Sequence, residues 1–381
     1  MIITIFKSIE EAKDTWIAFQ KDSDFYPFQS YEWIYTWYKT VGKKNGVVPV
    51  IFKITIGDED RLLLPMKVVR RKGLRVLKWL SDDKVFDYQG PIIKRKISSI
   101  GDVDYRKLVK RLHQSFPFFD YVDLLSQPED IHEVPNGFAL IGNCNKQCFA
   151  RYLKIDNDWK SYYEKEIDSK IRRDTVRQKE RLQKIDELKF VIVDNYTKES
   201  DIEKVYSAFV MQKERRYQET NFYNLFADEG YRKFYRRLLS SELIDGSLNV
   251  GDDAKKFNVH LSALYLGREI IATHFGLYDE KRYYYLMPTY KSKEIAKYSP
   301  GRILMLYLME WAFDRGVKIF DFTIGAEQYK DTWCNGYMNF YRHEEPITYK
   351  GNLYHCLLQS KRWMKSSINK LFHNERCEGA M

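Results

Sequence analysis

Twice along the chain the same order of elements can be read from hydrophobic period and turn signals: one strand, two helices, three strands, one helix, one strand. The first series runs through a strand at Ile2 to Phe6, helical stretches at Ile9 to Phe19 and Tyr31 to Val41, and strands at Val48 to Ile56, Arg61 to Val69 and Leu74 to Leu80. A helix near Tyr105 to His113 and a strand at Tyr121 to Leu125 close it. The second starts at Phe190 to Val193, with helices near Ile202 to Arg216 and Glu229 to Leu239. A three-strand meander follows at Val259 to Leu266, Glu269 to Tyr278 and Tyr283 to Met287, then a helix at Pro300 to Arg315 and a strand at Val317 to Phe322. The two series share no visible sequence likeness, but their common order predicts an α+β fold made of two similar units, with the boundary near 150 to 187.

The helix at Pro300 to Arg315 is the best-determined element. Ser299 is expected to supply an N-cap oxygen, Pro300 suits the first helical position, and Gly316 suits a left-handed stop. Its run from Ile303 to Met309 is apolar all round, which predicts burial against a sheet.

Composition narrows the classes. The 381 residues suit two domains, and 44% hydrophobic residues exclude disorder. The N-terminus lacks a secretory pattern and there is no run of about 18 apolar residues, so a cytoplasmic protein without stable membrane insertion is expected. Cys144, Cys148, Cys334, Cys356 and Cys377 are odd in number, and the lone C-x3-C at 144 and 148 has no second pair, so free thiols and no metal are expected. The net charge of +10 attracts anions of any kind. Its densest stretch, Lys170 to Lys184, reads as a solvated helix face or as a phosphate-steering surface. No G-x-G-x-x-G, P-loop, G-x-S-x-G, H-E-x-x-H or paired C-x-x-C occurs, which removes the usual support for nucleotide hydrolysis, zinc chemistry and serine esterase chemistry.

Several residues could carry chemistry. Ser299, Pro300, Gly301 and Arg302 combine a helix start, a glycine and a guanidinium, which suits a diphosphate or an ordinary helix entry point equally. Asp321 shares a strand face with Val317 and Ile319, so it must be paired, hydrogen-bonded or raised in pKa. By alternation His274 lies with Ile270, Ala272 and Gly276, the last leaving room for a ligand. Glu327, Tyr329 and Lys330 follow a strand's C-terminal end, where ligands often bind in α/β folds. Gln29 with Trp33, and Asp87 with Tyr88, read by themselves as a helix start and a strand-edge turn.

Together these motifs resemble the GNAT-superfamily branch that includes the CelD-type and FemAB-like proteins. The resemblance rests on His274-Phe275-Gly276, Tyr283-Tyr284-Tyr285, Tyr298 to Arg302 and Phe320-Asp321-Phe322 with Gly325, Glu327, Tyr329 and Lys330. In the first half it rests on Gln29, Glu32, Trp33 and the Asp87-Tyr88 turn. It implies tandem GNAT folds, an N-terminal unit at 1 to 150 and a C-terminal one at 151 to 381 that holds acyl-CoA as co-substrate. Ser299, Pro300, Gly301 and Arg302 would stand at the pyrophosphate loop, although only one glycine is present there. The resemblance implies direct attack of an amine on the thioester, with His274 or Asp321 as base. Glu327, Tyr329 and Lys330 would anchor the acceptor, and Gln29, Trp33, Asp87 and Tyr88 would wall it. Among such proteins the chain looks most like bacterial nucleotide-sugar N-acyltransferases, which implies a dTDP- or UDP-linked amino-deoxy sugar as acceptor in surface glycan synthesis. Two alternatives stay open: aminoacyl transfer from tRNA, as in FemAB-type enzymes, and a non-enzymatic nucleic-acid or membrane-surface binder using the 170 to 184 face and the basic tail Lys361, Arg362, Lys365 and Lys370.

Overall fold

The structure is a computed structural model describing residues 1–71, 73–95, 103–141, 144–194, 196–240, 257–325 and 327–378, with side chains described up to Met364 in the last of these. The first half contains β1 (Ile2–Phe6), α1 (Ile9–Gln20), α2 (Tyr31–Trp37), β2 (Val48–Ile56), β3 (Glu59–Arg71), β4 (Leu74–Trp79), α3 (Tyr105–Ser115) and β5 (Tyr121–Pro128). After β6 (Cys144–Lys154), α4 (Trp159–Lys165) and α5 (Ser169–Gln183), the same order recurs. It runs β7 (Leu188–Val193), α6 (Glu199–Thr220), α7 (Glu229–Leu238), β8 (Asn258–Leu266), β9 (Glu269–Tyr278), β10 (Arg282–Tyr290), α8 (Pro300–Asp314) and β11 (Ile319–Ile324). The chain continues through β12 (Gly336–Pro346) into α9 (Tyr349–Glu378).

These twelve strands form the main path of a fourteen-stranded sheet, in the order β1-β2-β3-β4-β5-β12-β6-β11-β10-β9-β8-β7, with two short strands, Ser23–Asp24 and Ile92–Lys94, pairing beside it. It is antiparallel except at two places, where β4 runs parallel to β5 and β10 runs parallel to β11. Both parallel contacts are short: Val76 and Leu77 with Tyr121 and Val122, and Arg282 to Tyr284 with Ile319 to Asp321. Beyond these residues the strands part, so each half carries a wedge at the same point of its sheet. The observed architecture is therefore α+β with two similar units, as the element order predicts.

One large core, rich in Trp and Phe, lies under α1, α2, α6 and α7 and spans both halves, with Trp16, Trp33, Phe209 and Phe234 among its members. Every residue of α2 is buried, and Ser30 caps the helix by accepting from the Trp33 N–H at 3.2 Å. A second core under α8 joins Leu304, Leu308 and Met309 to Tyr283, Tyr285 and Phe320. The burial expected of α8 is observed, and Gly316 takes a φ of +72° at its end. β6 and β12 were not foreseen as strands, yet β12 joins the sheet's two halves by pairing with both β5 and β6.

Two local expectations are corrected. Ser299 does not cap α8 with its side chain; it adopts a left-handed φ of 52°, and its carbonyl accepts from the N–H groups of Arg302 and Ile303. The alternation along β9 breaks at a bulge where Ala272 pairs with Leu264 but Ile270 with Tyr265. In consequence Ile270 joins the α6 side and Ile271 the α8 side.

Candidate active site

The wedge between β10 and β11 opens into a cavity of about 820 Å³. Gly301 and Arg302 from the first turn of α8 form one rim, Lys213 and Arg216 from α6 another, and Tyr285 and Tyr290 the β10 wall. A Cβ at Gly301 would meet nothing closer than 4.0 Å, so the backbone there is open to close approach. The Arg302 side chain lines the cavity, and its Nε is buried without a partner in the protein. Pro300 is buried beneath this rim and Ser299 is half-buried. The basic helix α5 packs on α8, and Ile171 from α5 reaches the cavity.

A second, smaller cleft of about 220 Å³ adjoins the first. The two share Lys213, Tyr217, Tyr285, Glu327 and Tyr329 as walls. Its other side comes from the first half of the chain, through Trp33, Lys84 and Asp87. The two halves thus build this cleft together. The Trp33 Nε1 is buried and unpartnered. Lys330 is buried, 3.0 Å from the Glu327 carboxylate, and a Cβ on Gly325 would lie 2.6 Å from its Nζ, so a side chain at 325 would displace this ion pair.

Charges in this cleft are shifted. Burial pushes the half-buried Asp87 carboxyl up to about 6, while the Thr323 side chain and the Lys330 ammonium pull against that rise. Burial lowers the Lys213 amine to about 8, aided by Arg216 and opposed by Glu327. Thr323, a β-branched residue, holds a φ of 54°, and such strain is retained where surrounding structure enforces it, often at sites of function.

The remaining anticipated residues stand behind these walls. Asp321 is fully buried and saturated: it pairs with Arg282 Nη1 at 2.6 Å and accepts from the Tyr88 hydroxyl at 2.7 Å and the Thr323 N–H at 2.8 Å. Burial, then the Asp321 charge, raise the Tyr88 phenol well above its ordinary range, so it stays a donor. Gln29 holds the same turn from the other side, donating to the Tyr88 carbonyl at 2.6 Å and accepting from the Tyr26 N–H at 3.1 Å. None of these three lines either cleft. His274 is also fully buried, stacked behind Tyr285 with ring centroids 4.3 Å apart. Burial and the neighbouring His260 and Lys213 push its imidazole well below the ordinary range, so it is neutral. The Tyr283 hydroxyl bridges it, at 3.3 Å, to His260, at 3.0 Å.

Gly276 leaves room beside His274, but for the protein itself. A Cβ there would stand 2.6 Å from His274 Cε1 and 2.8 Å from the Tyr283 hydroxyl. Gly276→Ala is expected to destabilise the fold by about 1–3 kcal/mol through overpacking, read from denaturant midpoints.

Lys213, Arg216 and Thr323 escaped the sequence reading. A signal for Lys213 existed: Phe209, Lys213 and Tyr217 follow at helical spacing on one face of α6, and a lysine in an apolar stripe needs a reason. Among the described residues no group of His, Cys, Asp and Glu could hold a metal ion, and Cys144, Cys148, Cys334 and Cys356 are free. The Cys377, Lys365 and Lys370 side chains lie outside the described residues.

The splayed sheet, the helix start at its mouth and the adjoining cleft define a GNAT-type acyltransferase fold. Residues 169–331 match the family model described as an acetyltransferase (GNAT) domain, so this part of the chain is a domain of that type. Among solved structures the chain is similar in fold to FemX, at 9% identity and a TM-score of 0.53, with 89% of this chain and 97% of that one covered. It is also similar to a conserved protein of unknown function from Bacteroides thetaiotaomicron, at 10% identity and a TM-score of 0.52, with 90% and 99% covered. No curated protein sequence matches the chain.

Proposed function

We propose that the protein is an acyl-CoA-dependent N-acyltransferase whose acceptor is an amine on a nucleotide-linked amino-deoxy sugar. The observation that carries this reading is the continuity of the two clefts, one with an open helix start and an orphaned arginine, the other with an accessible carboxylate of raised pKa. Residues 151–381 would bind the donor, and residues 1–150 would close the acceptor cleft.

An acyl-CoA supplies a carbonyl carbon bonded to a good leaving group. Gly301 can approach its diphosphate closely, and the Arg302 guanidinium, which lines the same cavity, can donate to it. Arg216 adds charge on the opposite rim. Asp87 takes a proton from the acceptor ammonium, which frees the nitrogen lone pair to attack. As the carbon–nitrogen bond forms and the carbon–sulfur bond breaks, Lys213 lies between the clefts to offset charge on the carbonyl oxygen. The nitrogen, positively charged once bonded, gives up its second proton to the departing thiolate, so the products are the amide and the free thiol, and Asp87 passes its proton to solvent. Asp87 thus replaces His274 and Asp321 as the proposed base, because those two lack access to either cleft. Glu327, Tyr329, Lys330 and Trp33 are proposed to contact the acceptor, while Tyr88 and Gln29 hold the Asp87 turn in place.

Coenzyme A is expected to raise the melting temperature, since a ligand that binds only the native state stabilises it. Arg302→Ala should weaken that binding by about tenfold to a hundredfold, the loss of one charge-assisted bond. No stabilisation by coenzyme A or any acyl-CoA would overturn the donor assignment. Transfer of an aminoacyl group from tRNA is the second reading, favoured by the basic face of α5 beside the same cavity. It predicts stabilisation by aminoacyl-tRNA and none by coenzyme A. A panel of nucleotide-linked amino sugars tests the acceptor in the same assay.

A further inference from the structure

Between Tyr349 and Met364, α9 has two apolar faces, and the fold uses one. Tyr354 and Leu358 pack on Leu74, Val76 and Tyr121 of β4 and β5. On the same side Arg362 makes two bonds to Glu344, at 2.5 and 2.9 Å, and His355 meets the Tyr121 hydroxyl at 2.9 Å. The helix is therefore fixed to the sheet. At about 100° per residue, Tyr349, Leu353, Leu357, Trp363 and Met364 fall within roughly 120° on the opposite side. There Tyr349 is 86%, Leu353 59%, Leu357 55% and Trp363 72% exposed. A helix docked by one face on a soluble domain ordinarily turns polar residues outward.

The charge pattern indicates what covers this stripe. From Tyr349 to Met364 there is no Asp or Glu, while Lys350 and Lys361 are exposed and lie together at about 100–120° around the helix, beside the stripe. A second copy of this stretch of α9 laid on this face would bring lysines together with no carboxylate between 349 and 364 to pair them. An anionic lipid surface complements the lysines and accepts the apolar side chains, and Trp and Tyr suit the boundary between water and hydrocarbon. The net charge of +10 acts in the same direction.

We propose that the outer face of α9 docks the protein on an anionic bilayer, with Leu353, Leu357 and Trp363 at the level of the acyl boundary and Lys350 and Lys361 among the headgroups. The helix lies in the surface; among the described residues no helix is long and apolar enough to cross a membrane. This inference is independent of the acyl-transfer reading.

Cosedimentation of the full chain with vesicles tests it. Wild-type protein should pellet with vesicles of mixed phosphatidylglycerol and phosphatidylcholine and be released as salt rises. Leu353→Ser combined with Trp363→Ser should bind at least about tenfold more weakly with an unchanged melting temperature, because both side chains are exposed. Lys350→Gln with Lys361→Gln should erase the preference for phosphatidylglycerol over phosphatidylcholine alone. Wild-type protein that stays in the supernatant, or serine variants that bind equally well, would overturn the proposal. So would light scattering that finds a dimer dissolved by the serine substitutions, without vesicle binding.

Discussion

Asp87→Asn is expected to lower turnover by about 10²- to 10⁴-fold, the range that a positioned general base contributes, while leaving coenzyme A affinity unchanged. The carboxyl titrates near 6, so wild-type turnover should fall about tenfold for each pH unit below that value, as its basic form is lost. Lys213 loses its charge near 8, so the profile should also fall on the alkaline side. Asn at 87 should remove the acid limb and keep the alkaline one. The same substitution should stabilise the fold. A carboxyl whose folded pKa is raised from 3.8 to about 6 is most favourable when protonated, so its contribution is present below about 4 and lost as pH rises through about 6. Near pH 7.5 the Asn variant escapes that loss and should melt higher than wild type; toward pH 4 the gap should close. Higher stability with collapsed turnover is an outcome a merely structural carboxylate would not give. Retained turnover would dismiss Asp87 as the base.

Asp321→Ala should have the largest effect on stability. It strips the buried Arg282 guanidinium of its carboxylate and leaves the Tyr88 hydroxyl and the Thr323 N–H without an acceptor. Removing one partner of a buried ion pair costs about 3–5 kcal/mol, because the survivor remains charged and unsolvated. Unfolding in urea, followed by intrinsic fluorescence, measures this. Wild-type stability would show that Asp321 does not hold the halves together. Asp321→Asn keeps the shape and can still accept from Tyr88, so it should fall between the two.

The bounds of β2 and β9 are legible in sequence to the residue, since apolar runs there are bounded by turn signals such as Gly57 and Gly267, both at positive φ, whereas the bulge that resets the faces of β9 is not. β6 and β12 are not legible, because they lack an apolar period. β12 carries Arg342 and Glu344, whose charges are answered by Asp123 and Arg362 far along the chain. Pairing of that kind exists only after folding. The site was legible as a neighbourhood rather than as roles. His274 and Asp321 drew attention as polar residues on apolar strands, yet such residues are as often internal fasteners as reagents. Asp87 looked like a turn residue, and only the packing of the second half around it gives its carboxyl a raised pKa and an open face. The Ser299 conformation was hidden for a similar reason: a strained backbone leaves no trace in residue type.

β12 is supplied by residues 336–346, yet it is the strand that covers the free edge of β5. During synthesis, the amino-terminal half must therefore wait with an open hydrogen-bonding edge until most of the polypeptide has left the ribosome. A nascent chain stalled before 336 would offer that edge to chaperones or to its neighbours.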